Sequence, residues 1–138
     1  MHTMNALRST AQRPLHLSLD PGPVAASQAR SRIRAVLRAW QVPVDADVAV
    51  LLTSELVSNA VSHGAGGPVA LTVSCISDHL RVAVHDTSPT APVLVEASPA
   101  AEAGRGLMLV ATLASDWGSY RTRTGKAVYF MLAFAARA

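Results

Sequence analysis

A single cysteine, Cys75, leaves this chain without an internal disulfide. It falls on the same parity as Val69, Leu71 and Val73, which reads as a small core residue in a reducing, cytoplasmic setting. Aromatic residues are only 4% of the chain, and none is interleaved with the basic ones. The stacking surface that a single-strand binder uses is therefore lacking. No apolar run is long enough to span a bilayer, and the basic 1–13 stretch has no apolar centre of a signal peptide. No Cys/His cluster has the spacing of metal ligands, and no internal repeat is present. Acidic residues are outnumbered, 9 against 12 Lys and Arg, for a net charge of +3. That balance is weak footing for a binder of phosphate backbones. It excludes neither a solvated basic face nor an acidic protein partner. A direct nucleic-acid partner and a membrane role are thus not expected.

What the chain does have is apolar content. Half of its 138 residues are hydrophobic, enough for one full core. Residues 1–13 read as a disordered tail and 14–138 as one domain. Leu15-His16-Leu17-Ser18-Leu19 alternates as a strand, closed by Asp20-Pro21-Gly22-Pro23. Val24 to Trp40 reads as a helix with Ala26, Ala29, Ile33, Val36, Leu37 and Trp40 inward. Arg30, Arg32, Arg34 and Arg38 take its other side, either as a solvated face or as a docking surface. A second helix follows Pro43, with Asp45 or Asp47 as its cap, and Gly64-Ala65-Gly66-Gly67-Pro68 breaks it. Val69–Cys75 and His79–Asp86 read as an antiparallel pair joined at Ile76-Ser77-Asp78. Residues 87–103 form a Pro- and Ala-rich connection, then a helix runs to Ala114. Trp117–Arg123 and Lys126–Phe134 form a last hairpin around Thr124-Gly125. The expected architecture is an α/β (α+β) two-layer sandwich: a mixed, mostly antiparallel sheet with helices on one face.

Three segments carry chemistry. In Glu55-Leu-Val-Ser-Asn-Ala-Val-Ser-His63, positions four apart put Glu55, Asn59 and His63 on one helical stripe. Leu51, Leu52, Leu56 and Ala60 line the adjoining one. Polar groups on a mostly buried helix are costly unless satisfied. A hydrated magnesium ion with a polyphosphate would suit, with an oxygen from Asn59 on the cation. Glu55 could orient or deprotonate a nucleophile. The same stripe could equally be the wet side of an amphipathic helix. In Leu80-Arg-Val-Ala-Val-His-Asp86, Asp86 shares the parity of Leu80, Val82 and Val84, so its carboxylate falls on the core face. It needs donors there, such as an exocyclic adenine amine, unless it caps the Thr87-Ser88-Pro89 turn. Gly104-Arg105-Gly106 opens the apolar run from Leu107. Such a turn brings amides and a helix N-terminus close to an anion, and Arg105 could add a charge, although a G-x-G alone also fits a plain turn.

In this order the three segments resemble the N, G1 and G2 boxes of the GHKL superfamily, the Bergerat ATP-binding fold. Ser54-Glu55-Leu56-Val57-Ser58-Asn59-Ala60-Val61, Gly104-Arg105-Gly106-Leu107 and the strand Gly125-Lys126-Ala127-Val128-Tyr129-Phe130 are similar to the stand-alone anti-sigma-factor serine/threonine kinases of the RsbW/SpoIIAB type. The resemblance covers about residues 14 to 134. It implies ATP with Mg2+, Asn59 as the magnesium ligand and Glu55 as the catalytic base or water-orienter. It also implies His63 near the phosphates, Asp86 on the adenine amine, and Gly104, Arg105, Gly106 and Leu107 at the phosphates, with 87–103 as the ATP lid. The implied partners are a sigma factor and an anti-anti-sigma (STAS) protein whose serine is phosphorylated, and a second copy in a homodimer. A regulator that binds nucleotide without turnover is the first rival function, and a nucleic-acid-binding module, suggested only by a sequence pI of about 9.8, is the second. Two departures stand out. Asp86 is followed by Thr87-Ser88-Pro89-Thr90-Ala91-Pro92, with none of the glycines common in relatives. Lys126-Ala127 follow Gly125 where many relatives carry threonine.

Overall fold

A computed structural model of the chain describes residues 14–63, 66–88 and 102–135, with the backbone alone for 102–107. The expected tail, most of the expected lid, and Gly64-Ala65 lie outside the described residues. The elements run β1 (Leu15–Leu19), α1 (Ala25–Trp40), α2 (Ala46–His63), β2 (Val69–Ile76), β3 (His79–Asp86), α3 (Glu102–Leu113), β4 (Asp116–Arg121) and β5 (Lys126–Ala133).

Local chemistry explains the boundaries. Asp45 caps α2: its Oδ1 accepts the N–H groups of Asp47 and Val48 at 3.0 and 3.3 Å. At the end of α1, Gln41 takes the left-handed conformation, φ 53°. The N–H of Gln41 returns to Arg38 and that of Val42 to Leu37, which satisfies carbonyls the helix leaves open. Val42 is buried behind this turn. Ser77, φ 54°, supplies the positive φ of the tight β2–β3 connection.

The five strands stand in the order β1-β2-β3-β5-β4. Every pairing is antiparallel, which corrects the expectation of a mixed sheet. The reason lies in the topology. β3 and β4 do run the same way and are linked through α3, but β5 inserts between them, so no parallel pair becomes adjacent. Leu17, Leu71, Val84 and Val128 stand in one row across four strands. Val73, Val82 and Phe130 form the next row. These side chains face the helices and, apart from half-buried Leu17, are buried.

α2 is the central helix, packed between α1 and α3 and across β2, β3 and β5. Its inward residues are Ala49, Val50, Leu52, Thr53, Leu56, Val57 and Ala60. Leu51, expected on the apolar stripe, is instead exposed. Inward-facing Thr53 and Val57 rotate the buried face away from it. On α1, Ala29, Ile33, Val36 and Leu37 are buried as their spacing predicts; Ala25, not singled out, is buried too, while Ala26 and Trp40 lie at the margin. Two of the α1 arginines turn onto the neighbouring helix. Arg30 donates to Ser54 Oγ at 3.0 Å, and Arg34 reaches Asp47 at 3.1 Å. They link helices rather than forming a purely solvated face. Among the described residues no helix is long and apolar enough to cross a membrane.

Candidate nucleotide site

The residues singled out from the sequence divide between α2 and one end of the sheet. On α2, Glu55 and Asn59 are half-buried, and His63 is exposed in the last turn. The stripe therefore runs from the helix flank out to solvent. Asn59 carries the sharper signal. Its Nδ2 is buried without a hydrogen-bond partner. A buried amide donor left unpaired costs about 1–3 kcal/mol, so it calls for an acceptor supplied from outside the fold. An anionic oxygen is a suitable one, and the same amide offers an oxygen to a hard cation. Thr53 Oγ1, nearly two turns earlier, is also buried and unpaired, a feature the helical pattern did not single out.

Asp86 ends β3 with its side chain buried, as its parity predicts. Both carboxylate oxygens are engaged. Oδ1 accepts the N–H of Ser88 at 2.8 Å, and Oδ2 stands 3.3 Å from Lys126 Nζ. Strand register sets this up, since Asp86 lies opposite Lys126 on β5. Lys126, noted from sequence as a departure from relatives at the start of the last strand, is buried in the fold, with 6% of its surface exposed. One signal could have found it. Lys126 shares the parity of Val128, Phe130 and Leu132, all of which face the core.

Thr87, next to Asp86, is closely packed. Thr87 lies between two glycines from different connections. A Cβ on Gly125 would overlap the Asp86 carbonyl oxygen and approach Thr87 Cα to 2.6 Å. A Cβ on Gly67 would come within 2.5 Å of Thr87 Oγ1. Gly67 lies in the connection that follows α2, so that connection packs on Thr87 beside the Asp86–Lys126 end of the sheet.

α3 begins at Glu102, so Gly104 lies in its first turn and Gly106 deeper in the helix, rather than in a turn ahead of it. First-turn N–H groups have no acceptor inside the helix. The side chains of Arg105 and Leu107 lie outside the described residues. At its other end α3 passes the chain to Asp116, opposite Met131 at the far end of β5.

These donors suit a magnesium–nucleotide ligand. Asn59 brings an amide with an unanswered donor, and Asp86 and Lys126 bring a buried acceptor and donor. Among the described residues no three His, Cys, Asp or Glu side chains converge on a metal position. A cation here would keep waters and share phosphate oxygens, as magnesium does.

On the outer sheet face, away from the helices, His16 Nδ1 lies 3.2 Å from Thr72 Oγ1, which lies 3.5 Å from His85 Nε2. Arg81 stacks over Tyr129 at 4.8 Å. Burial, then the charges of Arg81 and His16, hold His85 below the usual imidazole pKa, against an opposing pull from Asp86.

Comparison with known proteins fits this architecture. A crystal structure of the RsbU and RsbW domains of Rv1364c from Mycobacterium tuberculosis superposes with a TM-score of 0.67 at 23% identity. The match covers 91% of this chain and 34% of that one, so the chain spans about a third of its length. No curated protein sequence matches. The family model of the histidine kinase-like ATPase domain matches residues 19–132, from the end of β1 to the end of β5. With that span and the helix-covered antiparallel sheet, the chain belongs to the histidine kinase-like ATPase domain family.

Proposed function

We propose that this domain binds ATP with Mg2+ between α2 and the Asp86–Lys126 end of the sheet, and acts as a serine/threonine kinase on a protein partner. The observation that carries the nucleotide reading is the buried, unpaired Asn59 Nδ2 within the Glu55–His63 segment. Asn59 gives the cation an oxygen and the phosphates a donor. Glu55, half-buried one turn earlier, orients or accepts the proton of the attacking hydroxyl. The first-turn amides of α3 at Gly104 add donors to the phosphates, Arg105 and Leu107 follow in the same segment, and His63 lies at the phosphate side. Bound magnesium supplies charge neutralisation on the transferred phosphoryl group. The likeness to an RsbW domain supports an anti-sigma role, with a sigma factor held and a serine of an anti-anti-sigma (STAS) protein modified. A second copy would complete a homodimer.

A second reading has its own observation. Ser88 N–H and Lys126 already hold both oxygens of Asp86, and the sequence that follows, Thr87 to Pro92, has no glycine. That rigidity suits a regulator that binds nucleotide without turning it over. One experiment separates the two. Calorimetry with a non-hydrolysable ATP analogue, with and without Mg2+, tests binding in wild type and Asn59→Ala. Phosphotransfer from labelled ATP to a serine-bearing STAS protein then tests catalysis. Magnesium-dependent binding lost in the variant supports the site, and wild-type binding without transfer supports the regulator.

A further inference from the structure

We infer that the site selects nucleoside triphosphates by their magnesium-bound triphosphate and not by their base, so that purine and pyrimidine nucleotides bind alike. This rests on the nucleotide-site reading above and adds the ligand class.

Two kinds of polar group border the site, and the fold treats them differently. The group suited to reading a base edge is Asp86, and the protein has already answered it. Oδ1 accepts the Ser88 N–H at 2.8 Å, and Oδ2 stands 3.3 Å from Lys126 Nζ. The side chains of Asp86 and Lys126 are 3% and 8% exposed. Register holds them opposite each other on β3 and β5. Gly125 lies flush against the Asp86 carbonyl and Thr87, so backbone closes on the pair from the hairpin.

Exchanging Lys126 for a base amine is unfavourable. The amine would have to displace the ammonium from Oδ2, and a buried ammonium without its carboxylate is an uncompensated charge. A base amine left outside simply keeps its water. The two opposite charges also offset each other, so the pair presents a base with no charge that calls for an answer. Asp86 and Lys126 form a wall of the site and not a reader of its ligand.

The groups left open are of the other kind. Asn59 Nδ2 is buried without a partner. The first-turn N–H groups of α3, where Gly104 lies, have no acceptor inside that helix. Such donors suit anionic oxygens, and the oxygen of Asn59 suits a hard cation that shares phosphate oxygens. Every ribonucleoside triphosphate brings the same triphosphate to them. Strong discrimination arises where the wrong ligand leaves a buried polar group unpaired. Here the base-reading group is paired by the fold itself, so a change of base leaves nothing unanswered.

The test is calorimetry on the full chain with Mg2+ and each of ATP, GTP, CTP and UTP, in wild type and Asn59→Ala. ATP and CTP carry an amine beside a ring-nitrogen acceptor, and GTP and UTP carry a carbonyl beside a ring N–H. A carboxylate that read the base edge would separate those two pairs. In wild type all four should bind within about tenfold of one another, the scale of contacts that no buried polar group enforces. Asn59→Ala should weaken all four by the same factor. A wild type that prefers ATP over any of the others by more than about tenfold overturns the inference and leaves the nucleotide site standing. A loss in Asn59→Ala confined to ATP does the same. If Asn59→Ala does not fold, the wild-type spread decides. Failure of wild type to bind any of the four, or undiminished binding by Asn59→Ala, overturns this inference and the nucleotide-site reading together.

Discussion

Gly125 lies directly against the carbonyl of Asp86, with no room for a side-chain carbon between them. The obstruction is backbone, which cannot rotate aside. Gly125→Ala should therefore destabilise the domain by about 2 kcal/mol or more, as overpacking does. Gly67→Ala meets mainly the Thr87 side chain, which can change rotamer, and should cost clearly less. Urea denaturation of both variants checks the order. Equal stabilities would mean that the hairpin is not held against β3 as described.

Asn59→Ala should separate stability from binding. It removes a buried donor that nothing answers, so the ligand-free melting temperature should hold or rise slightly. The stabilisation that wild type gains from saturating Mg2+ and ATP should vanish. Thermal melts with and without ligand give both numbers. A variant that still gains stability from ligand refutes the assignment of Asn59.

Glu55→Ala should leave ATP affinity within about threefold of wild type and lower phosphotransfer by a factor of about 100 or more, the scale of general-base catalysis. Rapid-quench assay with labelled ATP measures the second quantity. Undiminished transfer would remove Glu55 from the chemistry.

The Asp86–Lys126 pair invites a double-mutant cycle. Asp86→Asn or Lys126→Met alone leaves one buried group uncompensated and should cost about 3–5 kcal/mol. The double variant, which removes both charges, should lose less than the two single losses added together. Additive losses would show that the two groups do not interact.

His85 gives a pH signature. Its pKa is lowered in the folded protein, first by burial and then by Arg81 and His16. The unfolded chain therefore binds more protons in the window between the lowered value and 6.5. Stability rises with pH across that window and falls as pH drops through it. His85→Gln should flatten this part of the profile, measured by urea midpoints between about pH 5 and 7.

Cys75 is buried, and desolvation pushes its thiol up to about 11. At pH 8 iodoacetamide should label it only when denaturant opens the fold. Rapid labelling of the native protein would contradict its place on the inward face of β2.

Legibility differed between local and non-local features. Asp86 declared its burial through parity with Leu80, Val82 and Val84, and the sequence narrowed the cap of α2 to Asp45 or Asp47, of which Asp45 fills it. The α1 core face followed from its spacing. Lys126 stayed hidden although its parity matched Val128 and Phe130. Lysine is rarely buried without a partner, and that partner lies forty residues earlier on β3. No local period reveals that β5 inserts beside β3. The same insertion made every pairing antiparallel where a parallel one was expected. Leu51 misled for a related reason. Helical spacing defines a stripe, but the neighbours of α2 decide which edge of that stripe is covered. The contact of Arg30 with Ser54 was also out of reach, because it depends on how α1 crosses α2.

The tight seating of Thr87 between Gly67 and Gly125 has a kinetic consequence. The floor formed by Asp86 and Lys126 has lost its water and its conformational freedom during folding, before any ligand arrives. A nucleotide at the proposed site would meet a wall already set in place, so ordering that wall would add no cost to its association. Differences in affinity among ligands of that proposed site should then appear in the dissociation rate more than in the association rate.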